Sequence, residues 1–225
     1  MTKTIINGKI FEYDEEHLTY ETIHPISQED GKVLLSKTKE LFDHIGLDFY
    51  LAFGTLLGAV REKKIITGDE DIDIFINNEN LLYTNLPFLA QNGLKVFRIQ
   101  KGILYSFRLN EKSYIDVYIL SSLPKYNLWS KYCLKLSQFI TPKKYFKEYQ
   151  KIDFLDNTFM CPKNPEKLLE FWYGENWRIP QKGHKFIYEV KSAHYWHKFS
   201  FKIKAIIKSC IGWQYWKNVI TKHIH

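Results

Sequence analysis

The sequence predicts an α/β (α+β) fold, a mixed sheet flanked by helices with a helical C-terminal part. Three observations carry that expectation. Residues 28–45 place Val33, Leu34, Leu41, Phe42 and Ile45 at the spacing of an amphipathic helix, and Gly46 ends it. Residues 47–53 then alternate Leu47, Phe49, Leu51 and Phe53 with Asp48, Tyr50 and Ala52, the period of a strand. Two further alternating runs, 104–109 and 113–120, are joined by a tight turn at Asn110-Glu111-Lys112.

Taken in order, residues 1–27 are mixed, with a short strand at Lys9–Tyr13 and a turn near His24-Pro25. After the first helix and strand, Gly54 turns the chain and Thr55 can cap. A short helix over 56–63 carries Leu56, Leu57 and Val60 at helical spacing. Residues 69–76 read as a strand with Asp69, Asp71 and Asp73 on one face and Ile72, Ile74 and Ile76 on the other. A helix follows over 80–92, then strands near 94–100, 104–109 and 113–120. In the last of these Tyr114, Asp116 and Tyr118 face one way, and Ile115, Val117 and Ile119 the other. From about Tyr126 the pattern reads as helices rich in Lys, Tyr and Trp, ending in a helix over 166–173 stopped by Gly174. The implied organisation is a catalytic core over 1–124, a helical substrate-binding part over 125–190, and a basic amphipathic tail over 191–225.

Composition narrows the class. A 225-residue chain with 45% hydrophobic and 16% aromatic residues buries a sizeable core and excludes a disordered protein. Cys133, Cys161 and Cys210 are far apart and odd in number, which gives no metal spacing and no disulfide framework and points to a reducing compartment. The N-terminal residues lack the apolar core of a signal peptide, and no apolar run is long enough to span a bilayer. The expectation is a cytoplasmic protein. The net charge of +7 is unevenly placed: residues 181–225 hold nine lysines against one glutamate, while the other 180 residues carry 23 basic and 24 acidic side chains. A nucleic-acid binder would spread positive charge over the domain, so no nucleic-acid partner is expected.

The acidic strand needs a reason. Like charges held close raise each other's pKa, and a divalent cation removes that cost. Carboxylates at i and i+2 on a strand share a side, about 6.6 Å apart at Cα by the strand rise. Hard oxygen donors in this arrangement suit Mg²⁺ or Mn²⁺ held by Asp71, Asp73 and Asp116, with Asp69 a possible addition. Asp116, on a later strand that could pair beside the first, supplies a third acid. Three converging acids suit two metals about 3.5–4 Å apart for in-line displacement at phosphorus, one at the leaving oxygens and the other, helped by Asp116, lowering the pKa of the attacking hydroxyl and taking its proton. Gly54 and Thr55 at a helix N-terminus offer N–H groups and a hydroxyl to a phosphate, and Arg61 a charge-assisted contact. The plain alternatives are a solvated strand end for Asp-x-Asp and a structural acid paired with Arg108 for Asp116.

With these residues in view, Gly54-Thr55, Asp71-Ile-Asp73 and Asp116 resemble the pattern of the nucleotidyltransferase fold. More narrowly, residues 53–61 (Phe-Gly-Thr-Leu-Leu-Gly-Ala-Val-Arg) and 69–74 (Asp-Glu-Asp-Ile-Asp-Ile) resemble the LicD/fukutin family of phosphotransferases. So do residues 114–117, and Tyr173-Gly-Glu-Asn-Trp177 with Pro180 and His184 beyond it. The resemblance implies transfer of a phospho-alcohol, phosphocholine or a phosphopolyol, from a CDP-alcohol donor to a glycan or lipid-linked glycan acceptor. In bacterial members that glycan is lipopolysaccharide, teichoic acid or capsule. A nucleotidyltransferase moving NMP from an NTP would use the same three acids. Where the family has Pro-Trp before the acidic run, this chain has Thr67-Gly68, and Glu70 replaces the usual middle aspartate.

Beyond the core, Trp177, Arg178, Lys182 and His184, with Lys185, could close on the donor diphosphate. Trp129, Trp172, Tyr173 and Trp177 read either as a cage for a quaternary ammonium or as core. His194 and His197 stand at i, i+3 without further ligands nearby and read as a surface pair. Over residues 199–216 an apolar stripe of Phe199, Ile203, Ile206, Ile207 and Cys210 is flanked by lysines and followed by Trp213 and Trp216. That profile suits an anionic membrane surface, with a terminal helix packed on the domain as the alternative. Together these features place the protein in the cytoplasm, peripheral on the inner face of the membrane.

Overall fold

A computed structural model describes residues 1–16, 18, 24–127, 129–137 and 139–180. Contacts divide the chain into two compact units, 1–168 and 169–225. Among the described residues no helix is long and apolar enough to cross a membrane.

The first unit opens with a hairpin, β1 (Thr2–Ile6) and β2 (Lys9–Tyr13). Its Asn7-Gly8 turn has positive φ at both residues, 50° and 76°, the mirror-image geometry that matches strand twist. β2 falls on the expected residues; β1 was legible only in that Asn-Gly pair. Helix α1 (Gln28–His44) starts where Ser27 accepts the Asp30 N–H at 3.0 Å. It buries Leu34, Leu35, Thr38, Leu41 and Phe42 and lies against the central strand β7 (Ser113–Ser122). Val33, expected on the core face, is half exposed instead.

The main sheet runs β3-β4-β7-β6-β5, with β8 continuing from the end of β7 and β9 beyond it. These strands are β3 (Tyr50–Leu51), β4 (Ile72–Ile76), β5 (Lys95–Gln100), β6 (Leu104–Asn110), β8 (Cys133–Leu136) and β9 (Phe139–Pro142). Only β4 and β7 are parallel; all other pairs are antiparallel. Helix α2 (Phe53–Arg61) covers β4, and of the two short helices α3 (Glu79–Thr84) and α4 (Leu86–Gln91) the second covers β5. This is the expected mixed sheet flanked by helices.

Several boundaries moved, each for a local reason. The strand expected over 47–53 shortens to two residues, because Phe53 at φ 34° turns the chain into α2 and Ala52 N–H bonds the Asp73 carbonyl at 3.0 Å. The helix therefore begins at Phe53, its cap position is Ala52, and Thr55 lies inside the first turn rather than capping. The acidic strand starts only at Ile72, so Asp69 and Asp71 precede it. The helix expected over 80–92 breaks after Thr84, because Pro87 lacks the N–H to continue it and instead opens α4.

The largest correction lies beyond residue 125. The segment expected to be helical forms β8, β9, a 3₁₀ turn Lys143–Phe146, and a hairpin of β10 (Tyr149–Phe154) and β11 (Asn157–Pro162). Its two-residue turn, Leu155-Asp156, has positive φ at both positions (50° and 60°), so a tight hairpin forms without the usual Asn-Gly signal. Helix α5 (Pro165–Tyr173) matches the expected helix and spans the boundary between the two units.

Candidate active site

Strand pairing builds the site. In the parallel pair β4/β7, Asp73 and Asp116 are direct register partners, so both carboxylates project from one face of the sheet. Both are buried, at 8% and 5% exposure, while Asp69, Glu70 and Asp71 are half-buried just ahead of β4.

Helix α2 is tied to Asp73 on both sides. The Gly54 N–H donates to Asp73 Oδ2 at 3.0 Å, and the Asp73 N–H donates to Thr55 Oγ1 at 2.8 Å. Gly54 has ordinary φ; what demands glycine is space. A Cβ there would meet Asp69 Oδ2 at 2.7 Å and Asp73 Oδ2 at 3.2 Å. Asp69 thus leans over Gly54 toward Asp73 although it stands outside the strand. The N-terminal dipole of α2 favours negative charge at this spot, and here Asp73 receives it.

Asp116 has different company. Arg98 Nη2 donates to both of its oxygens at 2.9 Å, and Ser106 Oγ donates to Oδ1 at 2.6 Å while accepting Arg98 Nε at 2.8 Å. Arg98, not Arg108, is therefore the partner of Asp116; Arg108 pairs with Glu16 and Glu111. The Tyr118 side chain shares the face of Asp116, where it interacts electrostatically with Asp73 and Asp116, and its ring meets Phe53 edge-on at 4.9 Å. Below Asp73, the face continues into Phe75, stacked on Tyr50 at 5.0 Å and met edge-on by Phe146, so the acidic face ends in an aromatic floor.

These surroundings set the charge states. Loss of water, then Asp73, Asp116, Asp69 and Glu70, hold the Asp71 carboxyl well above the ordinary carboxylate range. Burial, then Asp69 and Asp116, do the same to Asp73, opposed by the Gly54 N–H and Tyr118. Burial raises Asp116 too, with Arg98 the chief opposing influence, followed by Ser106. Burial and the three acids push the Tyr118 hydroxyl well up, so it stays protonated.

Of the other expected residues, Arg61 lies in the last turn of α2, with Nε donating to Glu62 at 3.0 Å. By helix rise it is about 10 Å along the axis from Gly54. In the second unit, Trp172 and Trp177 are buried and the Arg178 guanidinium lies 4.2 Å over the Trp177 ring. Lys182, His184, Lys185, His194, His197 and the stripe over 199–216 lie outside the described residues. Sequence reasoning missed Arg98, Ser106 and Tyr118. Tyr118 shares the parity of Asp116 and was within reach of the argument; Arg98 and Ser106 become visible only through strand register.

An acid pair on adjacent strands, gripped by a Gly-Thr helix start, also corresponds to a recognised protein family. A family model described as "LicD/FKTN/FKRP, nucleotidyltransferase domain" matches residues 46–164, just over half of the chain. The chain belongs to the LicD/FKTN/FKRP family. The match spans α2, Asp69, Asp71, Asp73, Arg98, Ser106 and Asp116. Among the relatives of this LicD-family chain, human ribitol-5-phosphate transferase FKTN is 23% identical over 178 residues, covering 75% of the chain and 38% of that protein. An uncharacterised Rickettsia prowazekii protein is 32% identical over 89 residues, covering 39% of the chain and 32% of its own length. The chain thus spans about a third of the length of these curated relatives. Among solved structures, the lincosamide adenylyltransferase LnuA aligns with TM-score 0.43 and 14% identity over 64% of this chain and 85% of its own. The antibiotic-resistance factor ANT(2'')-Ia aligns with TM-score 0.46 and 11% identity over 88% and 100%.

Proposed function

We propose that this chain transfers a phospho-alcohol, phosphocholine or a phosphopolyol, from a CDP-activated donor to a hydroxyl of a cell-surface glycan precursor. The observation that carries this reading is the register pair Asp73–Asp116, gripped by Gly54 and Thr55, in a member of the LicD/FKTN/FKRP family. The fukutin relative, named as a ribitol-5-phosphate transferase, supports a phospho-alcohol as the group moved.

The donor set fits Mg²⁺ or Mn²⁺. Asp71 and Asp73 offer hard oxygens whose mutual repulsion a divalent cation would relieve, and Asp69 leans to the same spot. The described residues hold no ready-made group of three His, Cys, Asp or Glu side chains around one point. Asp71 and Asp73 would hold the ion, which would neutralise charge on the donor phosphates. The protein's own groups do the rest. Gly54 N–H and Thr55 Oγ1 fix Asp73 from both sides. Asp116 accepts the proton of the attacking hydroxyl. Trp177, Arg178, Lys182 and His184 belong to the second unit and are proposed to bind donor phosphate, and the basic stretch over 199–216 would bring the enzyme to an anionic membrane where lipid-linked acceptors lie.

The test is donor turnover. With Mg²⁺ and candidate lipopolysaccharide, teichoic acid or capsule acceptors, CMP should be released from CDP-choline, CDP-ribitol or CDP-glycerol. Label transfer from ATP or CTP instead would establish NMP transfer, the activity that the nucleotidyltransferase domain of this family motivates as the second reading. CMP release from no CDP-alcohol would overturn the proposal.

A further inference from the structure

Four register partners form one row across the sheet. Arg98 on β5 faces Ser106 on β6, Ser106 faces Asp116 on β7, and Asp116 faces Asp73 on β4. Partners in register project to the same face, so the row reads arginine, serine, aspartate, aspartate from the outer strand to the site. A bulge makes this possible. The β5/β6 register passes from Val96↔Phe107 to Arg98↔Ser106, leaving Phe97 as the extra residue. Under regular pairing Phe97 would oppose Ser106, and Arg98 would point to the other face, where Val96, Phe107 and Ile115 are buried. Instead both bulge residues meet the acid-bearing face. The Phe97 ring meets Tyr114 edge-on at 6.0 Å, and Arg98 reaches Asp116 and Ser106. Bulges beside active sites re-aim a side chain in this manner.

We infer that Arg98 is a positioning residue: with Ser106 it clamps Asp116 as the proton acceptor and leaves the divalent cation to Asp71 and Asp73. The inference rests on the transferase reading above. A carboxylate offers about four acceptor sites. Asp116 Oδ1 takes Arg98 and Ser106, and Oδ2 takes Arg98 again, which leaves one site on Oδ2 for an incoming hydroxyl. A guanidinium 2.9 Å from both oxygens also repels a second cation. Among the described residues no ion pair reaches Asp71 or Asp73, so their charge is open to an ion. In the transfer, the acceptor O–H breaks and its proton passes to Asp116 Oδ2. The freed oxygen pair forms the new O–P bond, while the P–O bond to CMP breaks and CMP leaves with its electron pair.

The test uses the full chain and pairs kinetics with Mn²⁺ titration by electron paramagnetic resonance. R98Q should cut kcat about 100-fold with donor KM changed less than about twofold, and R98K should recover part of that loss. S106A, a milder cut, should lower kcat about tenfold. Mn²⁺ affinity of R98Q and D116N should stay within about threefold of the unaltered chain, while D71N and D73N lose at least about tenfold. Loss of Mn²⁺ by D116N as deep as that of D71N overturns the clamp by making Asp116 a cation ligand. So does a kcat loss in R98Q and S106A that merely follows the folded fraction seen by circular dichroism. If the unaltered chain transfers no phospho-alcohol, the transferase reading falls, and the Mn²⁺ comparison alone decides whether Asp116 is kept from the ion.

Discussion

Asp71 and Asp73 are held apart in role by a few ångströms of backbone. Asp73 is in the strand, tied to Gly54 and Thr55, whereas Asp71 sits in the bend before it, under repulsion from four neighbouring acids. Asp71→Asn should therefore abolish transfer yet leave the thermal midpoint unchanged or higher, measured by activity and differential scanning fluorimetry side by side. The pH dependence follows with its sign. Carboxyls whose folded pKa is raised bind protons more tightly when folded, so their penalty is full at high pH and fades as pH falls toward the ordinary carboxylate range. In EDTA the melting temperature should climb as the pH falls from neutral toward the ordinary carboxylate range, and Asp71→Asn should flatten that climb. A wild-type curve parallel to that of the variant would remove the acid cluster as its cause. At Gly54, alanine would drive a Cβ against Asp69 and Asp73. Activity should fall at least about tenfold with a modest loss of stability, because side-chain carboxylates can shift where backbone could not.

At the scale of elements, α2 and β4 are joined through one buried hydrogen bond that the sequence does not advertise. Thr55→Val keeps the shape but removes the acceptor of the buried Asp73 N–H. The expected cost is about 1–3 kcal/mol in urea denaturation, with activity falling further than stability because Asp73 loses its register. The hairpin β10–β11 invites the opposite experiment. Leu155 and Asp156 both pay for left-handed backbone, so Leu155→Asn with Asp156→Gly should raise the unfolding free energy by about 0.5–1 kcal/mol without touching the acids. These two elements also show why part of the fold was legible and part was not. α1, α5 and β5–β7 carry periodic runs, and each was found close to its observed bounds. β8 to β11 are short, lysine- and tyrosine-rich, and lack Asn-Gly turns, so local composition imitated helix until pairing made them strands.

For the whole molecule, the fold's task is to bring β4 and β7 side by side across 43 residues of chain, so that Asp73 meets Asp116. A cation that binds the folded site and not the unfolded chain should raise the midpoint by mass action. Mg²⁺ or Mn²⁺ at about 100 times its dissociation constant should add about 2.7 kcal/mol of stability to the wild type, and a cognate CDP-alcohol more. An equal shift in Asp71→Asn would show that the ion binds elsewhere. The basic segment has its own test in liposome flotation with and without residues 199–225, where equal flotation would remove the membrane from the proposal.

The sequence by itself determined the fold class and the family resemblance, and it singled out Asp71, Asp73 and Asp116 as candidates, because local spacing and periodicity encode which residues share a face. It did not reveal that Asp69 leans over Gly54, that Gly54 and Thr55 serve Asp73, or that Arg98 rather than Arg108 holds Asp116. Those depend on register between strands far apart in the chain and on a single bulge residue, Phe97. A one-residue slip reverses which face a side chain occupies, and no local pattern records it. Only the tertiary structure could decide which charge faces which acid.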